Sequence, residues 1–177
     1  MVCPCLFVME CQLSWEAVAA FSSAVIALCA LGLTIWQACI TRSHNRLSVR
    51  PHLTTWRHLD HANHSYSVDL INNGIGPAFV RSFKVFVDGH LIPGENYEPL
   101  QKALKILFPQ YEHSSHQSFL GDGYSMAANE VRPLLSVQFI GPSFPKPEEI
   151  EHALKRGRLL IGYVSIYDEE FKFDSDK

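Results

Sequence analysis

The sequence has no lysine or arginine before Arg42 and no cysteine after Cys39. All fifteen basic residues, and sixteen of the eighteen acidic ones, therefore fall after residue 41. The lack of cysteine there excludes a disulfide framework for that part of the chain. A cleaved signal peptide is also disfavoured, because it needs a basic segment before its apolar run. Two physically different segments are thus joined near residue 41.

The later segment also lacks the features of a nucleic-acid or nucleotide site. The net charge of −3 predicts no basic face for nucleic acid. Gly74-Ile75-Gly76 has neither the third glycine nor the following helix of a dinucleotide fingerprint. We therefore predict no nucleic-acid partner and no cofactor.

Residues 17–40 form an apolar run of 24 residues without an ionised side chain. As a helix, this run would be about 36 Å long, enough to cross a hydrocarbon core of about 30 Å. Trp15 and Trp36 lie about 31 Å apart on the same rise, which fits an aromatic residue at each interface. The sequence therefore predicts one transmembrane helix in a lipid bilayer.

The charges around this span predict its orientation. No basic residue precedes it, whereas Arg42, Arg46, Arg50 and Arg57 follow it before the first acid, Asp60. Because basic residues stay on the cytoplasmic side, we expect a single-pass protein of the inner (plasma) membrane, with its N-terminus outside and its C-terminal domain in the cytoplasm. Trp15, Trp36, Arg42 and Arg46 are the predicted membrane-interface residues.

The span has small residues at four-residue spacing, among them Ala20, Ala24, Ala30 and Thr34. Such a face permits close approach of two helices, so the span is a candidate for homo-oligomer formation. The predicted organisation is a tail at 1–13, a transmembrane helix at 14–41, a juxtamembrane linker at 42–51 and a globular domain at 52–177. Met9 is an alternative start to Met1, and a few residues are expected to be missing after residue 177.

The domain alternates apolar and polar residues as half-buried strands do. Strands are predicted at 52–59, 66–71, 79–87, 90–92, 117–120, 131–140, 158–167 and 171–173. Arg81 falls on the apolar face of its strand, which indicates a bulge or an edge. Asp88-Gly89 predicts a hairpin turn.

Two segments have the periodicity of helices instead. Residues 97–108 are amphipathic. Pro147 fits the first position of a second helix, and Gly157 fits its C-cap. The fold class is therefore mainly β: an N-terminal transmembrane helix, then an Ig-like antiparallel β-sandwich with two short helical insertions. A small closed barrel is the alternative.

The order of these features resembles a known type of protein. An Ala-rich span is followed by Arg50-Pro51-His52-Leu53, by the turn Asn72-Asn73-Gly74-Ile75-Gly76-Pro77-Ala78, and by a strand that ends in Asp88-Gly89. This order is similar to small bacterial membrane-anchored proteins without an assigned activity. The resemblance implies a tethered β-sandwich and gives no catalytic residue to carry over.

Histidines supply the candidate metal ligands. His58, His61 and His64 surround Asp60 and could hold Zn²⁺ only if a loop brought them together. A solvated hairpin tip is the favoured interpretation, so no metal site is predicted. His113 and His116, near Asp122, would lie one turn apart at a helix end, but the spacing provides no third ligand.

The last cluster of charge is acidic. The last ten residues contain more acidic than basic side chains. The acidic residues are Asp168, Glu169, Glu170, Asp174 and Asp176, and the basic residues are Lys172 and Lys177. Solvated terminal charge is the favoured interpretation over a site for a basic partner.

We therefore expect a non-enzymatic interaction module, tethered to the membrane, with a protein partner. The loop at 121–129 and the edge near Arg81 are where binding is expected, because sandwiches bind through loops and sheet edges. The alternatives are a self-associating membrane effector or sensor, as in stress or phage defence, and a His-metal-dependent enzyme.

Overall fold

The computed structural model describes residues 14–60, 62–118, 120–141 and 144–176. The tail at 1–13, with Met9, lies outside this range, and so do His61 and Lys177. The chain divides into two units, Met1–Asn45 and Arg46–Lys177.

Helix α1 covers Trp15–Ser48, which is 34 residues, and none of them is fully buried. It is long and apolar enough to cross a membrane, so the chain has one candidate membrane-spanning helix in its described part. Two hydroxyl groups in its apolar part are satisfied within the helix: Ser23 Oγ donates to the Ala19 carbonyl at 2.8 Å, and Thr34 Oγ1 to the Ala30 carbonyl at 2.8 Å. The helix ends shortly before Pro51, because a residue that precedes proline avoids the helical region.

The described part of the second unit consists of nine strands and two helices. They are β1 Leu53–Asp60, β2 Ser65–Asn72, β3 Ala78–Val87, β4 His90–Leu91, α2 Glu98–Leu107, β5 Glu112–Gln117, β6 Ser125–Met126, β7 Val131–Ile140, α3 Pro147–Arg156, β8 Gly157–Val164 and β9 Glu170–Asp174. A mainly β fold that follows a long apolar helix is thereby confirmed.

The strands form two antiparallel sheets. The first has the order β1-β2-β7-β5, and the second has the order β4-β3-β8-β9 with β6 also paired to β3. Immunoglobulin-type sandwiches place their strands in the same order, with A-B-E-D in one sheet and C, F and G in the other. This order favours the Ig-like interpretation over a closed barrel.

Both sheets contribute to one apolar core. Leu70 and Leu134 from the first sheet and Val80 and Ile161 from the second are fully buried in the same cluster. Each such side chain stabilises the fold by about 1.5–3 kcal/mol through its removal from water.

Two bulges adjust which residues reach this core. The pairing of β3 with β8 shifts between Val80 and Ser82, so Arg81 is an extra, exposed residue, which confirms the predicted bulge. A similar shift between β2 and β7 leaves Leu134 unpaired. Leu134 is fully buried, although strict alternation from the buried Val137 and Phe139 would place it on the opposite face.

Leu134→Ala should lower the free energy of unfolding by about 2–5 kcal/mol, because it leaves a cavity between the sheets. The control is Val131→Ala in the same strand, where the side chain is 54% exposed. Urea unfolding of the full-length chain in lipid nanodiscs measures both. Equal losses in the two variants would contradict the inward position of Leu134.

The two predicted helices are confirmed as α2 and α3. α2 buries Leu100 and Leu104, and α3 buries Ile150. Gly157 is the C-cap of α3, as predicted. Its φ is −93°, and it also opens β8.

The strand predicted at 117–120 is wrong in its bounds: β5 lies earlier, at Glu112–Gln117, residues 118 and 120 are not in a strand, and residue 119 lies outside the described residues. This polar sequence pairs along β7 at the edge of the first sheet. Edge strands often have such a polar composition, so a pattern of alternating apolar and polar residues does not reveal them.

Candidate functional site

The histidines around Asp60 lie in and beside the β1–β2 hairpin. His58 is exposed in β1 and pairs with Ser67, while the ring of His64 stacks on Phe144 at 3.7 Å. His61 lies outside the described residues, so the three-histidine set stays a prediction. Asp60 is engaged locally: Asn63 Nδ2 donates to its Oδ2 at 2.7 Å, and this bond lowers the pKa of the Asp60 carboxyl.

The second histidine pair does not converge. His113 and His116 lie on strand β5 instead of a helix end, opposite Phe139 and Ser136 respectively. Residues three apart on a strand point to opposite faces, so the predicted one-turn spacing is wrong. In the described residues, no group of three or more His, Cys, Asp or Glu side chains could hold a metal ion.

The acidic tail is partly engaged within the domain. Arg158 binds the Asp174 carboxylate through Nε and Nη2 and also lies 3.6 Å from Asp176. Arg46, predicted at the membrane interface, lies 4.0 Å from Glu169 and places its guanidinium over the ring of Tyr167.

The other predicted interface residues lie on α1. Trp15 and Trp36 are 87% and 64% exposed, and Arg42 is exposed as well. Their contact with lipid stays a prediction.

The turn at 72–77 has a structural role that the sequence does not reveal. The side chain of Asn72 is fully buried. Its Oδ1 accepts from the backbone N–H groups of His52 at 3.1 Å and Gly74 at 3.0 Å, and its Nδ2 donates to the carbonyls of Gly76 at 2.9 Å and Ala127 at 3.0 Å. Asn72 thereby joins three backbone segments at the start of the domain.

The glycines of this turn permit close backbone contact. A Cβ at Gly76 would lie 1.7 Å from the carbonyl oxygen of Val49, and a Cβ at Gly74 would lie 2.4 Å from the backbone nitrogen of His52. The turn therefore packs closely against residues 49–52, the segment that follows α1.

An apolar cavity of about 80 Å³ lies between the two sheets. Its walls come from both sheets and from α2 and α3, so it lies within the domain. Most of its lining is aliphatic or aromatic: Val68, Val85, Phe86, Leu100, Ala103, Leu104, Leu107, Leu135, Leu154 and Leu159.

Tyr66 is the unusual residue in this wall. It is 4% exposed, and within the described part of the chain its hydroxyl has no hydrogen-bond partner. Burial raises the pKa of Tyr66 to about 12, even though the positive charge of Arg57 lowers it. The phenol is therefore neutral at physiological pH and can donate a hydrogen bond into the site.

Arg57 provides the positive charge next to Tyr66. The two residues are diagonal neighbours on paired strands, since Arg57 lies opposite Val68 and Tyr66 lies opposite Leu59. Both also line an adjoining groove of about 390 Å³, together with Leu59, Ile150 and Leu154. The site thus combines an apolar interior, a buried hydroxyl donor and a cation, an arrangement suited to binding.

Tyr66→Phe should leave the stability of the empty protein unchanged or raise it by up to about 1–3 kcal/mol, because the variant removes a buried hydroxyl that has no partner. Tyr163→Phe is the matched control. Tyr163 is buried to the same extent, but its hydroxyl oxygen accepts a hydrogen bond from the Leu53 N–H at 3.4 Å. Tyr163→Phe should therefore lower the free energy of unfolding. Differential scanning calorimetry compares the two, and a destabilised Tyr66→Phe protein would contradict the unpartnered hydroxyl.

Sequence reasoning missed this site. One signal was present: in β1, alternation places Arg57 on the same face as the buried Leu53 and as Leu59. Arg57 itself is exposed. A cation on the apolar face of an amphipathic strand is unusual and marks a candidate binding residue. Tyr66 gave no such signal, because its inward position is ordinary for tyrosine.

No protein-family model matches the chain, and no curated protein matches it. The proposed function therefore depends on the site itself.

Proposed function

We propose that this protein is a membrane-tethered, non-enzymatic binding module. Helix α1 anchors the chain in the inner membrane, and the β-domain faces the cytoplasm and binds its partner at the cavity between the sheets. The observation that carries the proposal is the cavity itself, an apolar space with one buried hydrogen-bond donor that nothing within the described protein satisfies. A buried donor without a partner costs stability, and a bound ligand would remove that cost.

The cytoplasmic orientation is supported by the basic residues at the end of α1 and after it. Arg42 and Arg46 lie on the helix, and Arg50 follows it. Protease added to intact spheroplasts should leave a C-terminal tag uncut and should remove it after lysis. Cleavage in intact spheroplasts would place the domain on the outer face.

Site-specific photocrosslinking tests the binding site. A photoreactive amino acid at Thr55, which lines the cavity, is compared in the full-length chain in cells with the same amino acid at Lys84, which is exposed on β3. We expect a discrete adduct only at position 55. Its loss when Ala103→Leu fills the cavity from α2 would support binding there. No adduct at position 55, or the same adducts at both positions, would contradict the proposal.

A further inference from the structure

The cavity contains two groups that identify the chemistry of its ligand. Among the described residues the buried Tyr66 hydroxyl has no partner, and it can donate to an oxygen atom. Arg57 is exposed on β1 and lines the same cavity, and no acid in the described part of the chain forms a salt bridge with it. The other lining arginine, Arg158, is already bound by Asp174.

These two groups match a carboxylate. A guanidinium presents parallel N–H donors to the two oxygens of a carboxylate, and the phenol adds a further donor. One arginine without an acidic partner also balances a single negative charge. An uncharged alcohol would accept a hydrogen bond from the Tyr66 hydroxyl but would leave the positive charge of Arg57 without an anionic partner.

The size and lining of the cavity limit the rest of the ligand. A volume of about 80 Å³ exceeds what one water needs, roughly 10–15 Å³, and is about half that of an engineered cavity that binds benzene. Its aliphatic walls offer mainly dispersion contacts, with Thr55 and Ser175 as the further hydroxyl groups of the lining. A short alkyl chain fits these limits.

We propose that the cavity binds a short-chain aliphatic carboxylate, with its alkyl chain between the sheets and its carboxylate on the Tyr66 hydroxyl and the Arg57 guanidinium. This assignment rests on the proposed binding function and names the ligand class of the same site. The neighbouring groove, which shares Tyr66 and Arg57 with the cavity, gives the carboxylate a route from solvent.

Calorimetric titration of the full-length protein in lipid nanodiscs tests the assignment with acetate, butanoate, hexanoate, octanoate and dodecanoate. Detergent is avoided because its alkyl chains would compete for the cavity. We expect affinity to rise from acetate to hexanoate, as apolar contact increases. An optimum at hexanoate or below supports a short-chain, water-soluble ligand, whereas an optimum at dodecanoate would overturn the short-chain assignment and indicate a fatty acid taken from the bilayer.

Variants separate the roles of the two polar groups. Arg57→Gln should weaken hexanoate roughly tenfold to a hundredfold but leave hexanol unchanged, because only the anion uses the charge. Tyr66→Phe should weaken both ligands. Lys84→Gln, which removes an exposed cation on β3 away from the cavity lining, is the control and should weaken neither.

The results also separate this inference from the proposed function. No carboxylate binding, together with a specific photo-adduct at position 55, would overturn the ligand class and leave the binding module intact. Carboxylate binding that Arg57→Gln and Ala103→Leu do not change would overturn the site. The absence of both binding and adduct would overturn both proposals.

Discussion

Gly76→Ala should abolish folding of the β-domain or cost more than about 4 kcal/mol, which is most of the stability of an ordinary domain. The added Cβ would lie 1.7 Å from the carbonyl oxygen of Val49 and 2.4 Å from its carbonyl carbon. Both atoms are backbone, so no rotamer change relieves the clash. The segment after α1 and the turn would have to separate, which would break the hydrogen bonds between them.

Gly157→Ala is the control for that substitution. Gly157 has a φ of −93°, and its nearest neighbour to an added Cβ is Leu107 Cδ1 at 3.4 Å, an ordinary contact at the end of a flexible side chain. We expect a change below about 1 kcal/mol there. Hydrogen exchange of β1 and β2 in nanodiscs measures both variants. Protected exchange in Gly76→Ala would contradict the close backbone contact.

Asn72→Ala should cost about 3–5 kcal/mol, because it leaves several buried backbone groups without partners at once. The N–H groups of His52 and Gly74 lose their acceptor, and the carbonyls of Gly76 and Ala127 lose their donor. Water cannot replace the side chain easily, since Asn72 is fully buried.

The adjacent asparagine is the matched control. Asn73 is exposed, and its side chain makes one hydrogen bond, from Nδ2 to Thr54 Oγ1 at 2.7 Å. Asn73→Ala should therefore cost no more than about 1 kcal/mol. Chemical unfolding of the two variants gives the comparison, and similar losses would show that Asn72 is not the joining residue.

The turn at 72–77 could be predicted from the sequence only in part. Its asparagines, glycines and proline predict a chain reversal, and the structure confirms one between β2 and β3. The residues that the turn contacts lie twenty or more positions away in the chain, His52 before the turn and Ala127 after it. Local patterns contain no information on such a contact, so the buried position of Asn72 could not be predicted.

Regular elements were predictable where local chemistry determines them. The apolar run dictates α1, and Asp88-Gly89 dictates the β3–β4 hairpin, in which both residues have positive φ, 51° and 79°. Prediction failed at β5, because its polar residues form a strand only by pairing with β7. It also failed for His113 and His116, whose expected helix end was that same strand.

The candidate site was the least accessible from sequence. The cavity is built from five strands of the two sheets together with α2 and α3. Its volume depends on how these elements pack, which no single segment encodes. Arg57 could have been noticed because it shares a face of β1 with Leu53 and Leu59, although it is exposed. The Tyr66 hydroxyl, which has no partner among the described residues, is visible only in the folded domain.

The central claim is that the β-domain holds a ligand in the cavity between its sheets. Native mass spectrometry of the full-length protein, extracted from cell membranes in polymer nanodiscs without detergent, tests this directly. We expect a small molecule that is released from the wild-type protein but absent from the Ala103→Leu variant, whose cavity is filled. Wild-type protein that carries no such molecule, or an equal amount on both proteins, would contradict the account.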